Sequence, residues 1–167
     1  MDHQPDPALD LLLERVIDIP PALAWRAWTQ PDELKKWFTP RPWQTVGCEI
    51  DLRPGGIFRT VMRSPEGQEM DNAACILEVV NNAKLVWTGA LLPGYRPRNP
   101  AADAAASVPF VFTCVITLEP HQRGTMYRAL AIHGDAAACA AHAAMGFHTG
   151  WGVALDQLVA EAKEKPL

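Results

Sequence analysis

The stretch Leu9–Phe38, LDLLLERVIDIPPALAWRAWTQPDELKKWF, decides the fold. Residues 9–19 are rich in Leu, Val and Ile and end on Pro20-Pro21. Paired prolines cannot continue a ladder, so this segment is predicted to be a first strand. Pro21 suits the first turn of a helix, and the residues after it place Ala24 and Trp28 at i,i+4 and Trp25 and Trp28 at i,i+3. A second short helix starts at Pro31, with Asp32 and Glu33 near the positive end of its dipole. Leu34, Trp37 and Phe38 recur there at i, i+3, i+4, so both helices turn aromatic rings inward.

Downstream, β-rich runs alternate with turn residues. Thr45–Leu52 closes on Arg53-Pro54-Gly55-Gly56, and IFRTVMRS follows. There Ile57, Arg59, Val61 and Arg63 share one face, and Phe58, Thr60 and Met62 the other. A long strand around Met70–Val80, a turn at Asn81-Asn82-Ala83 and the strand KLVWTGAL complete a meander. Residues 92–109 carry four prolines and five alanines without periodicity and read as a long loop. Strands resume with PFVFTCVITLEP and, after His121–Gly124, TMYRALAIH. Phe112, Cys114, Ile116 and Leu118 share a face of the first of these, and Tyr127, Ala129, Ala131 and His133 a face of the second.

From about Asp135 to Lys163 the spacing of Leu155, Leu158, Val159 and Ala162 predicts one long helix, with Asp135 as its N-cap. Gly146, Gly150 and Gly152 are unusual inside it. Each costs about 1 kcal/mol relative to Ala in a helix interior. They read either as close packing on the sheet or as room for a ligand. Strands, two short helices, more strands and a final helix make an α+β protein with its helices on one face of an antiparallel sheet.

The chain has 167 residues, with 15 Lys+Arg against 19 Asp+Glu and a net charge of −4. This length predicts a single domain at 9–165 after a flexible N-terminus at 1–8, with the long loop at 92–109. The start MDHQPDPALD lacks the basic and apolar regions of a signal peptide, and no apolar run is long enough to span a membrane. A soluble, cytoplasmic protein is expected. Without a basic stripe, nucleic-acid binding is not expected. Cys48, Cys75, Cys114 and Cys139 form no CxxC or Cys/His cluster, so no metal site or redox dithiol is predicted, and no cofactor.

No nucleophile elbow, phosphate loop or HExxH is present, and Glu49 and Asp51 are expected to face solvent, so no catalytic residue is assigned. His142 and His148 are six apart, about 120° around a helix, and would not chelate one ion. Aromatics are the richer signal: the chain holds six Trp, five Phe and two Tyr. Parity and spacing aim Phe58, Met62, Phe112, Tyr127 and Met145 into the space between sheet and helix. An aromatic lining with a few polar groups is the usual form of a small-molecule site. Tyr127 and His133 would supply orienting hydrogen bonds. His148 reads either as a rim histidine or as a ligand contact.

VIDIPPALAWRAWTQPDELKKWFTP, LRPGGIFRTVMRSPEG, LEVVNNAKLVWT and GFHTGWGVALDQLVA, in this order and spacing, resemble one family over residues 10–163. It is the Hsp90-ATPase-activator-like (AHSA1-type) group of the START/Bet v 1-like (SRPBCC) superfamily. The resemblance implies a helix-grip fold. A curved antiparallel sheet of six to seven strands wraps a long C-terminal helix, with two short helices after the first strand and a hydrophobic cavity between. It implies a small hydrophobic molecule as partner, and a homodimer. Trp37 and Trp87 complete the candidate lining with the residues above. The leading expectation is binding of a small hydrophobic or aromatic ligand. The alternatives are a cyclase- or hydrolase-like enzyme on an aromatic polyketide-type molecule, with His133, His148 and Tyr127 as acid/base candidates, and a chaperone cofactor. The 92–109 loop would serve as a lid or an interface.

Overall fold

The computed structural model describes residues 3–99 and 110–165. The first strand, β1 (Asp10–Ile17), is followed by helices α1 (Pro21–Thr29) and α2 (Pro31–Leu34). Then come β2 (Gln44–Ile50), β3 (Ile57–Arg63), β4 (Glu69–Val80) and β5 (Lys84–Thr88). A small hairpin, β6 (Leu91–Leu92) and β7 (Arg96–Pro97), precedes β8 (Phe112–His121) and β9 (Gly124–His133). Helices α3 (Ala136–Ala144) and α4 (Phe147–Glu164) end the chain. Seven strands form one antiparallel sheet in the order β1-β9-β8-β5-β4-β3-β2. With α4 packed against it, this is the α+β helix-grip arrangement expected.

The proline signals act as read. Pro20 and Pro21 end β1 and start α1, whose Leu23, Ala24, Trp25, Ala27 and Trp28 are buried. Pro31 opens α2 with Asp32 and Glu33 in its first turn. Regular helix stops at Leu34, but the N–H groups of Trp37 and Phe38 still bond back to the Leu34 carbonyl, which carries Trp37 into the core.

Strand parity also holds. Phe58 and Thr60 on β3, Leu85 and Trp87 on β5, and Cys114, Ile116 and Leu118 on β8 are buried, as are Tyr127, Ala129 and Ala131 on β9. Outside, Arg59 pairs with Asp71 at 2.7 Å and Arg63 with Glu69 at 3.3 Å, joining β3 to β4. The main core collects this inner face with α1, Trp37 and Leu155 and Leu158 of α4. Leu11, Ala131, Cys139 and Phe147 form a smaller cluster beneath α3.

The single long C-terminal helix is corrected to two. Asp135 caps α3, its carboxylate accepting from the Ala138 N–H at 2.7 Å. Gly146 then takes a left-handed conformation (φ +91°), which Gly adopts without the Cβ clash of other residues, and the axis restarts at Phe147. The other two glycines differ. A Cβ on Gly152 would lie 3.0 Å from the Arg15 guanidinium, which bonds the Gly152 carbonyl at 3.2 Å, so this glycine serves close packing on β1. A Cβ on Gly150 would meet nothing within 4 Å.

The segment read as one loop at 92–109 begins with structure. The β6–β7 hairpin turns through a 3-10 turn at Pro93–Tyr95, and Arg98 bonds the Gly89 carbonyl at 2.8 Å and also that of Ala73. Residues 100–109, the rest of the expected lid or interface, lie outside the described residues. At the other end His3 and the Asp6 N–H both bond the buried Asp10 carboxylate at 2.8 Å, tying the N-terminal residues to β1. Among the described residues, no helix is long and apolar enough to cross a membrane.

Candidate functional site

A continuous row of aromatic rings lies between the sheet and the C-terminal helices. It starts in the helix cap, where Trp28 meets Trp37 edge to face at 5.0 Å, and passes to Phe58. Phe58 stacks on Trp87 at 5.0 Å with only 12° between the planes, and Trp87 meets Phe112 at 5.5 Å. Beyond Phe112 the row reaches His142 of α3 at 4.7 Å and Trp151 of α4 at 6.1 Å. Phe58 and Trp87 are buried, whereas Phe110, Phe112 and Trp151 are half-buried, so the row emerges at that end. Each ring pair adds about 0.5–1.5 kcal/mol beyond its area burial, which keeps the row ordered.

The polar atoms along the row are unequally served. Trp28 Nε1–H donates to the Tyr127 hydroxyl at 3.1 Å, and Trp37 Nε1–H to the Ala27 carbonyl at 3.0 Å. Trp87 is 7% exposed, and its Nε1–H alone among buried side-chain nitrogens and oxygens of the described residues has no acceptor. Leaving such a donor unpaired costs about 1–3 kcal/mol.

At the emerging end two buried histidines pair. The Leu9 carbonyl only accepts, so His133 Nδ1, 2.8 Å away, carries a proton there. A neutral His133 then accepts at Nε2, and its partner at 2.9 Å is His142 Nδ1–H. His142 Nε2 is left as a bare acceptor with no partner among the described residues. Burial, and secondarily the neighbouring His133, lowers the His142 pKa from 6.5 to about 4. His142 is therefore neutral at pH 7.

This depressed pKa makes a prediction with a definite sign. The unfolded chain takes up a proton near pH 6.5 that the folded chain refuses until about pH 4. The neutral pair's contribution is thus complete above pH 6.5 and lost as pH falls towards 4, a loss on the order of 3 kcal/mol. Urea unfolding at pH 7 and pH 4.5 should show it, and His142→Phe should flatten that part of the profile. Equal pH dependence in the two proteins would disprove the assignment.

The structure sorts the expected site residues into three groups. Phe58, Trp87, Phe112 and His133 lie together along the row and its histidine end. Trp37 and Tyr127 are buried at the helix-cap end and their polar atoms are committed to protein partners. Burial also pushes the Tyr127 phenol up, so it stays protonated. Met62 is half-buried at the far end of β3, opposite Thr45 and Met70. One residue is displaced by the break at Gly146. Met145 is 66% exposed at the end of α3, and His148 is exposed, its Nε2 bonding the Leu12 carbonyl on β1 at 3.1 Å. Met145 does not project between sheet and helix as the continuous helix required, whereas His148 takes the rim position, one of its two readings. His142 and Trp151 do project there, although sequence spacing singled out neither for this space.

Two clefts, of about 560 and 490 Å³, share no residue with the row. One is lined by Lys35, Arg41 and Trp43, the other by Asp51, Arg53 and Tyr95. The four cysteines are free thiols. Burial raises the pKa of Cys48 to about 11 and that of Cys114 further, so neither is a ready thiolate. Among the described residues no group of three or more His, Cys, Asp or Glu side chains is placed to hold a metal ion.

The sequence pattern of one family, described as activator of Hsp90 ATPase homolog 1-like protein, matches residues 18–163. The chain belongs to this family. Among solved structures, a protein from Nitrosomonas europaea is 44% identical, with 96% of this chain and 97% of that one covered at a TM-score of 0.88. A protein from Mycobacterium smegmatis is 25% identical over 92% of this chain and 90% of its own, at a TM-score of 0.70. An AHSA1-like protein from Aeromonas hydrophila shares the fold at 18% identity, covering 93% of each chain at a TM-score of 0.64. No match to a curated protein was found. Membership in the activator-homologue family accounts for the order of strands and helices, and is consistent with the START/Bet v 1-like superfamily.

Proposed function

We propose that this protein binds a small hydrophobic or aromatic molecule between the sheet and helices α3 and α4, at the emerging end of the aromatic row. One observation carries the reading. Trp87 Nε1–H is buried on the inner sheet face, beside Phe58 and Phe112, without an acceptor. A folded protein is expected to satisfy such a group, and a ligand oxygen would do so. The family supports the reading, because its members commonly bind hydrophobic ligands. Binding requires Phe112 and Trp151, both half-buried, to move apart and admit the ligand's apolar face.

Purified protein should show a defined small-molecule adduct in native mass spectrometry, or a saturable rise in Tm with apolar aromatic compounds. A ligand at a hundred times its Kd stabilises the fold by about 2.7 kcal/mol, equivalent to about 5–10 °C for a chain of this size. The absence of both the adduct and the shift would refute the reading.

The enzyme alternative has one supporting observation, the hydrogen-bonded pair of His142 and His133 held on the Leu9 carbonyl. It differs from the acid/base set expected from sequence, since Tyr127 is locked to Trp28 and His148 sits outside. A chaperone-cofactor role rests on the family's description alone.

A further inference from the structure

The row has a donor near its middle and an acceptor at its end. Trp87 Nε1–H can only donate, and the bare Nε2 of His142 can only accept while that ring is neutral. Both rings flank Phe112, at 5.5 and 4.7 Å. Both residues are 7% exposed, and the Trp87 Nε1–H is itself shut off from solvent. Neither can turn to escape. Trp87 is held flat against Phe58, and His142 is held by His133, itself fixed on the Leu9 carbonyl.

We propose that Trp87 and His142 form the polar frame of the binding site and select flat apolar molecules that carry both a hydroxyl and an oxygen acceptor. Resting on the ligand-binding reading above, this assigns each partner. The ligand's hydroxyl proton goes to His142 Nε2, and a ligand oxygen (the same hydroxyl's or a carbonyl's) accepts from Trp87 Nε1–H. His133 is a positioning residue: its hydrogen bond keeps His142 in the tautomer whose Nε2 has no proton. A purely hydrocarbon ligand would leave both protein groups unpaired, and an ether would leave one.

Three probes of similar size separate these terms: 2-naphthol, 2-methoxynaphthalene and 2-methylnaphthalene. Titrations into the full chain at pH 7, followed by calorimetry and by proton–nitrogen NMR, report affinity and the Trp87 indole resonance. The expected order is naphthol, then the ether, then the hydrocarbon, with steps of about three- to tenfold in Kd. The Trp87 indole proton, identified by its loss in Trp87→Phe, should move downfield with the first two probes only. His142→Phe should remove the advantage of naphthol over the ether, and Trp87→Phe that of the ether over the hydrocarbon. If either variant fails to fold, the order and the indole shift in the unaltered protein still decide. Equal affinities without the indole shift would overturn this inference and leave apolar binding standing. No binding by any probe would overturn both.

Discussion

Gly124→Ala is expected to remove most of the stability of the fold. Gly124 opens β9 at φ +132°, and a Cβ there would sit 2.2 Å from the Ile17 carbonyl oxygen and 2.9 Å from the backbone N and O of Ile19. These are main-chain atoms where β1 leaves the sheet for Pro20-Pro21, so no rotamer change relieves the overlap. The next residue fastens the same place, Thr125 Oγ1–H donating to the Ile19 carbonyl at 2.7 Å. Alanine adds about 1–3 kcal/mol of backbone strain and forces β1 and β9 apart. A total above about 4 kcal/mol is expected, against the roughly 5–15 kcal/mol that holds a domain together. Tm should fall by at least about 8–16 °C, or the protein should be recovered unfolded. Gly67→Ala is the control. Its φ is +88° and a Cβ there would meet nothing within 4 Å, so only the strain remains. Equal losses at the two glycines would show that the close approach at Gly124 carries no weight.

Trp28→Ala is the second large effect, about 5 kcal/mol by urea unfolding. Trp28 is 1% exposed and touches Trp37, Phe38 and Phe58, so its removal opens a cavity at the helix-cap end of the row. Large-to-small changes at buried aromatics cost about 3–5 kcal/mol. The mutation also strands the Tyr127 hydroxyl, which is buried and has Trp28 as its donor, for a further 1 kcal/mol or so. Tyr127→Phe should be milder, about 1–2 kcal/mol, because it leaves one unpaired indole N–H and no cavity. The double mutant should then cost less than the two single changes summed, by about 1 kcal/mol. A loss below about 2 kcal/mol for Trp28→Ala would mean that the cap refills and that the row does not depend on its first ring.

The readings that succeeded depend on short-range rules. Alternation at Phe58 and Thr60 and at Cys114, Ile116 and Leu118 needs only the two-residue repeat of a strand. Pro21 and Pro31 mark helix starts because a ring-locked φ and a missing N–H suit the first turn. The readings that failed carried helical phase across a residue where it is reset. Counted through Gly146, Met145 belongs to the inner face. With Gly146 at φ +91°, α4 starts on a new axis and Met145 ends up outside. The glycine was visible in sequence, but its conformation was not, since glycine tolerates both hands of φ.

His142 shows the other limit. It lies in an alanine run with no periodic signal, and its importance comes from meeting His133, nine positions earlier on the preceding strand. Sequence alone determined the order of the main elements, the inward faces of β3, β8 and β9 and the aromatic character of the interior, because these follow from local backbone chemistry and two-residue or helical periods. Only the tertiary structure decided that the rings form one row, that Trp28 and Trp37 have acceptors while Trp87 has none, and that two histidines form a hydrogen-bond chain ending on the Leu9 carbonyl. Those properties depend on angles and distances between segments far apart in the chain, where a displacement of 1 Å makes or removes a hydrogen bond.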